Sequence, residues 1–454
     1  MEINMTALKE SYPELDYIVD TIFRSSLRTE LPKVEVSETE LRLSYDGTRS
    51  IIIKNPIITK EKPCGSLGMA CLPDEYVPVI NERRVPVYLT REDNGAPLIC
   101  DSGDNVVFNF DVLYSAFYIL TRSEEIGSTN LDHWGRFPAS ASHAYKNNYL
   151  HRPVVDEYTE ILWHCMKKLW PSLRRKERKF EMMLTHDVDE PFEALFRPAW
   201  RMIRSFGSDV LRRRDIARAV DRARLWFRVK RGDLECDRVY NFDLIMDIGE
   251  TAGCKDAFYF IPDCSGRMSG DYNLEHPAIR SLIRHIHERG HEIGYHGSFD
   301  TYMNSDKTQC EVKRLKTIAE QEGVAQTRWG GRQHYLRWSA LQTWRNYEVA
   351  GLDYDTTLSF ADAAGFRCGT CRPYRVFDVE NRKRLKLLEY PLTVMECSVL
   401  SAGYMGYSYE KAQEYILQLK RQCRRYRGIF VMLWHNSRFE TEQDWQIYRA
   451  ILAG

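Results

Sequence analysis

Leu184-Thr-His-Asp-Val-Asp-Glu-Pro191 decides the fold, because this stretch ends a mainly apolar run that begins at Phe180. Such a run, stopped by acidic residues and a proline, predicts a buried β-strand with acid groups at its carboxyl end. Active sites of α/β enzymes lie at that end of the strands. Because side chains alternate along a strand, Asp187 and Asp189 are expected on the same side. Two neighbouring carboxylates repel each other, so they indicate either a bound metal ion or a turn that caps the next helix.

The composition is that of a globular protein. The chain has 454 residues, 43% hydrophobic and 28% charged, and this length predicts two or three domains. The 64 Lys and Arg residues balance 64 Asp and Glu residues, so no overall positive field favours nucleic acid. The beginning of the chain does not have the pattern of a secretion signal, and no apolar run is long enough to cross a bilayer. We therefore expect a soluble cytoplasmic protein.

Residues 1–178 are predicted to form a smaller α+β domain. Segments such as Val34 to Tyr45 have the alternation of strands, whereas Val154 to about Trp170 has apolar residues at helical spacing. The run Leu173-Arg-Arg-Lys-Glu-Arg-Lys179 closes this region and is interpreted as a solvated link. No catalytic group is evident here, so a role in positioning a substrate or partner and a purely structural role both stay open.

Residues 179–454 are predicted to form the main domain. Short apolar segments alternate with helical ones, and with the opening strand they make about seven βα units. This pattern favours a parallel (β/α) barrel or a doubly wound sheet. Polar residues follow nearly every strand, on the face that carries the active site of a barrel. The later predicted strands are Asp256 to Pro262, Glu292 to His296, Thr327 to Tyr335, Leu352 to Thr357, Leu387 to Leu392 and Gly428 to His435.

An insertion at about 197–232 interrupts this pattern. From Arg197 to Arg231 it has twelve Arg or Lys residues against three Asp, with aromatic residues such as Trp200 and Phe227 among them. The pattern indicates a pair of helices with an apolar face and a basic one. One interpretation is peripheral contact with an anionic partner, such as a membrane surface, an anionic glycolipid or an acidic glycan. The simpler interpretation is a solvated helix face.

A second polar stretch, Gly290-His-Glu-Ile-Gly-Tyr-His-Gly-Ser-Phe-Asp-Thr-Tyr302, contains a predicted strand end at His296. Asp300 lies four residues later, a spacing that lets both side chains reach one point. Together with Asp189 they offer a metal ion one nitrogen and two oxygen ligands. A lone histidine is usually a packed or surface residue, but these strand ends considered together indicate a metal site.

Four stretches follow one another along the chain: Thr185-His-Asp-Val-Asp189, Gly290-His-Glu-Ile-Gly-Tyr-His296, Arg332-Gln-His-Tyr335 and Leu433-Trp-His435. In this order they resemble the motifs of the polysaccharide deacetylase family, whose members remove N- or O-acetyl groups from glycans. The resemblance covers roughly the C-terminal three-fifths of the chain and implies a distorted barrel of the (β/α)7 type at residues 179–454. The N-terminal region is similar to an accessory domain that precedes this barrel in some bacterial members.

Position by position, the resemblance makes Asp187 the catalytic base and makes Asp189 and His296 metal ligands. Asp300 stands where the family has a second histidine and is the expected third ligand. A carboxylate at that place gives a harder and more anionic site. The implied cofactor is a divalent metal ion, with zinc as the first choice and cobalt, nickel, manganese or iron as alternatives.

Three further catalytic roles follow from the resemblance. Arg332 matches the arginine that steadies the base, and Tyr335 matches the residue whose backbone amide helps to hold the oxyanion. His435 matches the general acid on the last strand. The prolines that the family has between the first two residues are absent, and His334 stands in place of one. An acidic motif also supports the site in the family, and the candidates for it are Asp353, Asp355 and Asp362.

The expected function is metal-dependent hydrolysis of a carbon–nitrogen amide bond. The protein would be a deacetylase that removes an N-acetyl or O-acetyl group from a glycan, a nucleotide-linked sugar or a lipid-linked sugar. Its partner would be the acetylated sugar, without nucleic acid. Two alternatives stay open: a catalytically silent carbohydrate-binding or scaffold protein that keeps the barrel, and a metal-dependent hydrolase of another amide.

Overall fold

The structure is a computed structural model, and it describes residues 10–58, 65–89, 96–197, 199–211, 214, 216–263, 268, 270 and 272–454. Its described strands are β1 Lys33–Val36, β2 Glu40–Ser44, β3 Ser50–Lys54, β4 Ser66–Cys71, β5 Arg84–Leu89, β6 Ile99–Asp101, β7 Asn105–Phe108, β8 Glu181–Val188, β9 Asp256–Phe260, β10 Glu292–Gly297, β11 Gly330–Gln333, β12 Tyr354–Asp355, β13 Tyr374–Asp378, β14 Lys383–Glu389, β15 Val394–Met395 and β16 Ile429–Leu433. Its described α-helices are α1 Pro13–Val19, α2 Val77–Ile80, α3 Val112–Leu120, α4 His143–Lys146, α5 Val154–Leu169, α6 Ala199–Leu211, α7 Ile216–Lys230, α8 Phe242–Thr251, α9 Pro277–Glu288, α10 Ser305–Gln321, α11 Thr343–Val349, α12 Glu396–Leu400, α13 Tyr409–Arg425 and α14 Glu442–Ala453.

Nine of the described strands form one curled sheet in the order β13-β14-β12-β11-β10-β9-β8-β16-β15. Every neighbouring pair from β14 to β15 is parallel, and β13 runs antiparallel to β14. The opening strand β8 lies inside this sheet, between β9 and β16, where a buried strand is expected to be mainly apolar. Because parallel strands end at the same edge, the residues that follow β8, β10, β11 and β16 can meet there.

Alternation along β8 assigns its side chains to two environments. Leu184 and Val188 belong to the main hydrophobic core. Thr185 and Asp187 have the opposite parity and point into the curl of the sheet, where both accept hydrogen bonds from Arg332. A smaller apolar cluster lies inside the curl and consists of Ala257, Tyr259 and Tyr354.

The N-terminal region has its own mixed five-stranded sheet, in the order β1-β2-β3-β7-β6, and an antiparallel β4-β5 pair. Helix α3 begins after Asp111, whose side chain accepts a hydrogen bond from the backbone amide of Tyr114 at 2.8 Å. One hydrophobic core extends from Leu15 in α1 to Leu452 in α14. The N-terminal region and the main sheet therefore pack against each other.

The α/β class predicted from the sequence is confirmed. The described strands pair in a linear order, and none of the described ladders joins β13 to β15. The closed (β/α)7 barrel and a domain boundary at residue 178 stay predictions. The insertion forms helices α6 and α7, which pack against each other. Within the described ranges, no helix is both long enough and apolar enough to span a bilayer.

Candidate active site

The carboxyl ends of four strands bring together five polar side chains. Asp187 lies at the end of β8 and Asp189 follows it, His296 lies at the end of β10, His334 follows β11, and His435 follows β16. These residues are far apart in the sequence. The parallel arrangement of the strands places them at one edge of the sheet.

Asp189, His296 and His334 form a group of candidate metal ligands, with one donor atom of each within 4.8 Å of the others. Nε2 of His296 lies 3.2 Å from Oδ1 of Asp189, and Nε2 of His334 lies 3.6 Å from the same oxygen. Nδ1 of His296 lies 3.0 Å from the carbonyl oxygen of Arg332. Because a carbonyl oxygen only accepts hydrogen bonds, Nδ1 carries a proton and Nε2 is available as a metal ligand.

The donor set of this group fits a divalent metal ion. Oδ1 of Asp189 and Nε2 of His296 are buried and have no hydrogen-bond partner among the described residues, an arrangement that is costly without a ligand. Burial alone would raise the pKa of Asp189, but His334 and His296 outweigh it and hold that pKa well below its usual value. Two imidazoles and one carboxylate are a common ligand set for catalytic zinc.

Asp187 is paired with a buried arginine. Nη1 of Arg332 donates to Oδ1 of Asp187 at 2.7 Å, and Nη2 donates to the hydroxyl oxygen of Thr185 at 2.9 Å. Burial alone would raise the pKa of Asp187, but Arg332, His296 and His435 outweigh it and lower that pKa. Oδ2 of Asp187 lies 3.5 Å from Nε2 of His296, so it faces the ligand group.

His435 is oriented by a buried glutamate. Its Nδ1 lies 2.6 Å from Oε1 of Glu396, which is 2% exposed. Its Nε2 lies 3.9 Å from Oδ2 of Asp187 and 3.7 Å from Oδ2 of Asp189. Burial alone would lower the pKa of His435, but Glu396 and the neighbouring Cys397 outweigh it and raise that pKa well above its usual value. The distances place Nε2 toward the two aspartates, and the raised pKa favours a proton on the ring.

Comparisons with known proteins add little to this geometry. Residues 4–171 match the model of DUF7033, a family of unknown function. No curated protein matches the chain. A crystal structure from Mycobacterium smegmatis, provisionally described as a polysaccharide deacetylase, is similar with a TM-score of 0.38. The two chains are 17% identical, and the similarity covers 63% of this chain and 85% of the other. Similarity of this degree decides neither the fold nor the function.

Asp300 lies apart from the ligand group. Its side chain is 73% exposed, and its Oδ1 lies 3.5 Å from Nη1 of Arg337. It belongs to neither of the two groups of potential metal ligands in the described parts of the chain, which are Asp189, His296 and His334 in one place and Glu396, Cys397 and His435 in the other. Strand β10 ends at Gly297, and a 3₁₀ helix begins only at Thr301, so helical spacing does not apply between His296 and Asp300.

The loop that follows β11 is held by the N-terminal region. Tyr335 and Leu336 have φ angles of 60° and 54°, in the left-handed region. Such residues persist only where their surroundings hold them, because each costs about 1–3 kcal/mol. Nη1 of Arg136 donates to the carbonyl oxygen of Tyr335 at 2.9 Å. The ring of Trp134 lies 4.9 Å from the ring of Tyr335. The ring of Tyr335 in turn lies 4.5 Å, centroid to centroid, from the ring of His334, the preceding residue.

Of the three aspartates considered for the acidic motif, Asp355 is the one connected to the site. It ends β12, is fully buried, and accepts a hydrogen bond from the amide of Thr357 at 2.9 Å. The carbonyl oxygen of the intervening Thr356 accepts a hydrogen bond from Nε of Arg332 at 3.1 Å. The other two bind backbone amides elsewhere: Asp353 that of Trp329 and Asp362 that of Ala139.

Sequence reasoning did not assign His334, Glu396 or Arg136 to the site. For His334 a signal existed, because it lies near the carboxyl end of the predicted strand Thr327 to Tyr335, which also carries Arg332. For Glu396 and Arg136 no local pattern indicates proximity, since each meets its partner only through packing between distant segments. Their assignment required the structure.

Proposed function

We propose that the protein is a metal-dependent deacetylase that removes an N-acetyl or O-acetyl group from a glycan, a nucleotide-linked sugar or a lipid-linked sugar. The observation that supports this most is the meeting of a potential metal-ligand group, a paired carboxylate and a paired histidine at one edge of the sheet. Amide hydrolysis requires activation of the carbonyl group, a base and an acid, and these three elements can supply them. The motifs that resemble polysaccharide deacetylases suggest the substrate class.

Asp189, His296 and His334 would hold the metal ion, with His334 in the role expected for Asp300. When bound, such an ion polarises an acyl oxygen and lowers the pKa of water, which makes a nucleophile available near neutral pH. Zinc is the first choice because imidazole and carboxylate ligands suit it, and cobalt, nickel, manganese and iron are the alternatives.

Asp187 would act as the base. Arg332 occupies Oδ1 and keeps the carboxylate ionised at neutral pH, so Oδ2 is the atom that receives the proton of the attacking water. Oδ2 faces His296, so it is the oxygen of Asp187 that lies toward the proposed metal ligands, where the acyl carbon would be held.

His435 would act as the acid. An amine leaves poorly unless its nitrogen is protonated. Glu396 binds Nδ1 and raises the pKa of His435, so Nε2 keeps a proton for the leaving nitrogen at neutral pH. Glu396 acts through His435 and is therefore a positioning residue.

Tyr335 would complete the site with its backbone amide. We assign this amide to the oxyanion, a role in which one hydrogen bond is commonly worth about 2.7–4 kcal/mol. The ring of Tyr335 also packs against Trp134 and, at 5.4 Å, against Phe299. These rings would offer an apolar surface to the face of a sugar.

Acetate release from N-acetylated sugar precursors tests the proposed function, with Zn²⁺, Co²⁺, Ni²⁺, Mn²⁺ and Fe²⁺ supplied in turn. We expect turnover with at least one metal, and a loss of about 10²–10⁴-fold in Asp187→Asn with metal content unchanged. His296→Ala should lose metal and activity together. The control is Val349→Ser, at a 62% exposed position, which should keep both.

Other outcomes of this assay would contradict the proposal. Bound metal without acetate release from any acetylated sugar would favour a hydrolase of another amide. Absence of both metal binding and turnover would favour a catalytically silent carbohydrate-binding or scaffold protein.

We further propose that helices α6 and α7 contact an anionic membrane surface, where a lipid-linked sugar would be found. The excess of Arg and Lys in this insertion complements anionic lipids. Sedimentation with vesicles that contain anionic lipid should remove the protein from solution, and a Trp200→Ser, Phe227→Ser double variant should bind more weakly. Equal binding to neutral vesicles would contradict this. Among the insertion residues whose exposure the structure describes, six large apolar side chains are exposed: Trp200, Ile203, Phe206, Leu211, Ile216 and Phe227.

A further inference from the structure

A basic cavity of about 160 Å³ lies between the N-terminal region and the main sheet, near the amino ends of β8 and β16. Glu160 is the one acidic residue among its described lining residues. His435 follows the opposite end of β16, and β8, with eight residues, is about 26 Å long. The basic cavity is therefore separate from the candidate active site. Its cationic lining residues are Arg175, Lys176, Arg178, Arg372, Arg425 and Arg427.

Arg372 is the buried residue among these six cations, with 4% of its surface exposed. Its Nη2 donates to Oε1 of Glu160 at 3.2 Å and to the carbonyl oxygen of Tyr426 at 3.0 Å. Its Nε and Nη1 are buried and have no hydrogen-bond partner in the described ranges, although Nε lies 3.6 Å from Oδ1 of Asp156. Buried guanidinium donors without acceptors are costly, and these two atoms could donate to the oxygen atoms of a bound anion.

The acidic groups near the basic cavity do not balance its positive charge. Both carboxylate oxygens of Glu160 already accept hydrogen bonds from Arg175, at 3.0 Å and 2.9 Å. Nε of Arg178 is also buried without a hydrogen-bond partner among the described residues. Burial, together with the charges of Arg372 and Arg28, lowers the pKa of Arg178. Such a shift is expected where like charges meet with too few counter-charges.

We propose that the basic cavity binds a small molecule that carries a phosphate or diphosphate group. Guanidinium groups bind phosphate oxygens with two parallel hydrogen bonds, and several of them converge here. One water needs about 10–15 Å³ of cavity volume. The basic cavity, at about 160 Å³, therefore has room for a group of the size of a diphosphate. The sequence reading of Leu173 to Lys179 as a solvated link did not reveal this, because Arg425 and Arg427 come from a distant part of the chain.

The bound anion would connect the N-terminal region to the main sheet. Glu160 and Arg175 precede β8, whereas Arg372 and Arg427 lie on segments that pack against the main sheet. A ligand that contacts both sets binds only the folded chain, so it stabilises the folded state by an amount that grows with the logarithm of its concentration above Kd. Phosphorylated metabolites would thereby control the stability of the protein at a site distant from the proposed chemistry.

Calorimetric titration and thermal unfolding of the metal-free full chain test this proposal, with inorganic pyrophosphate and uridine diphosphate as probes. We expect saturable binding of one anion per chain in the titration, and a Tm that rises with the logarithm of the anion concentration above Kd. Tighter binding of uridine diphosphate would identify a nucleotide as the ligand, and equal binding would identify the diphosphate group alone. Sodium chloride at matched ionic strength controls for screening.

Variants localise the binding. The double variant Arg178→Gln, Arg427→Gln should weaken pyrophosphate binding at least about tenfold. The control Arg314→Gln, on α10, should bind pyrophosphate as the native protein does. The single variant Arg427→Gln, at an exposed position, serves if the double variant does not fold. Without anion, both variants should keep the metal content and activity of the native protein, so failure here differs from failure of the proposed function.

Two results would overturn the proposal. The first is the absence of saturable binding of either probe by the native chain. The second is equal pyrophosphate affinity in the native chain and in a folded variant that lacks Arg178 or Arg427. A Tm increase of equal size with sodium chloride at the same ionic strength would likewise show a general salt effect and count against a site.

Discussion

His334, and not Asp300, lies beside Asp189 and His296 in the structure. The sequence directs attention to Asp300 because it stands four residues after His296. That spacing brings side chains together only in a helix, and the chain between these two residues is not helical. His334 reaches the group from the next strand instead, since β11 lies parallel to β10. Which residue lies beside Asp189 and His296 is therefore a property of strand order.

The choice between these two residues is testable by metal affinity. We expect His334→Ala to weaken zinc binding by at least about 10–100-fold, because even the loss of a residue that only hydrogen-bonds to a metal ligand has an effect of that size. Asp300→Ala should bind zinc as the native protein does, because its side chain is largely exposed. Competition with a chromophoric chelator measures both. The reverse order of affinities would restore Asp300 as the ligand.

The pH dependence of the proposed reaction should report the Glu396–His435 pair. Glu396 raises the pKa of His435, so replacing its charge in Glu396→Gln should lower that pKa. An acid catalyst must be protonated, and the alkaline limb of the rate profile should therefore move to lower pH, by about 1–3 pH units. The acidic limb, which reflects Asp187, should stay in place. An unchanged alkaline limb would remove His435 as the acid.

At the scale of elements, the segment that contains Trp134 and Arg136 is part of the proposed site although it belongs to the N-terminal region. Arg136 binds the carbonyl oxygen of Tyr335 and also pairs with Asp132 at 2.7 Å. The left-handed backbone conformation of Tyr335 and Leu336 depends on such contacts. The N-terminal region thus contributes to the loop that presents His334 and the amide of Tyr335.

Arg136 should accordingly act as a positioning residue. We expect Arg136→Ala to lower kcat/KM by at least about tenfold and to weaken metal binding, since a hydrogen bond from a charged group is worth about 1.5–3 kcal/mol. Arg136→Lys should recover part of both. The control Arg83→Ala, at a position that is 79% exposed, should change neither. Full activity and metal affinity in Arg136→Ala would show that the loop holds its conformation alone.

At the scale of the whole molecule, the N-terminal region and the main sheet share buried interactions. Nη2 of Arg367 pairs with Oε2 of Glu125 at 2.5 Å, and both side chains are at least 95% buried. Nη1 of Arg122 also donates to the carbonyl oxygen of Arg367 at 2.5 Å. Removal of one partner from a buried ion pair typically destabilises a protein by about 3–5 kcal/mol.

A chain that consists of residues 179–454 alone should therefore fail to fold. We expect it to be insoluble, or to lack a cooperative thermal transition, whereas the full chain unfolds cooperatively. Circular dichroism and soluble yield measure this. A soluble fragment with a sharp transition would instead support two independent domains with a boundary near residue 178.

The sequence by itself predicts those features that depend on neighbouring residues. Apolar runs indicate β8, β9, β10 and β16, and helical spacing predicts a helix from Val154 to about Trp170, which the structure gives as α5, Val154–Leu169. Alternation places Thr185 and Asp187 on one side of β8. The pairing of Asp187 with Arg332 follows from the family resemblance and is present in the structure.

Only the tertiary structure decides which distant side chains meet. His334 as a neighbour of Asp189, Glu396 beside His435, Arg136 under the loop of Tyr335 and the convergence of arginines in the basic cavity all depend on it. The physical reason is that periodicity encodes the side on which a residue lies in its own element, whereas contacts between elements depend on strand order and packing. A motif therefore indicates that Asp187 and Asp189 face a site, and the packed sheet determines what they face.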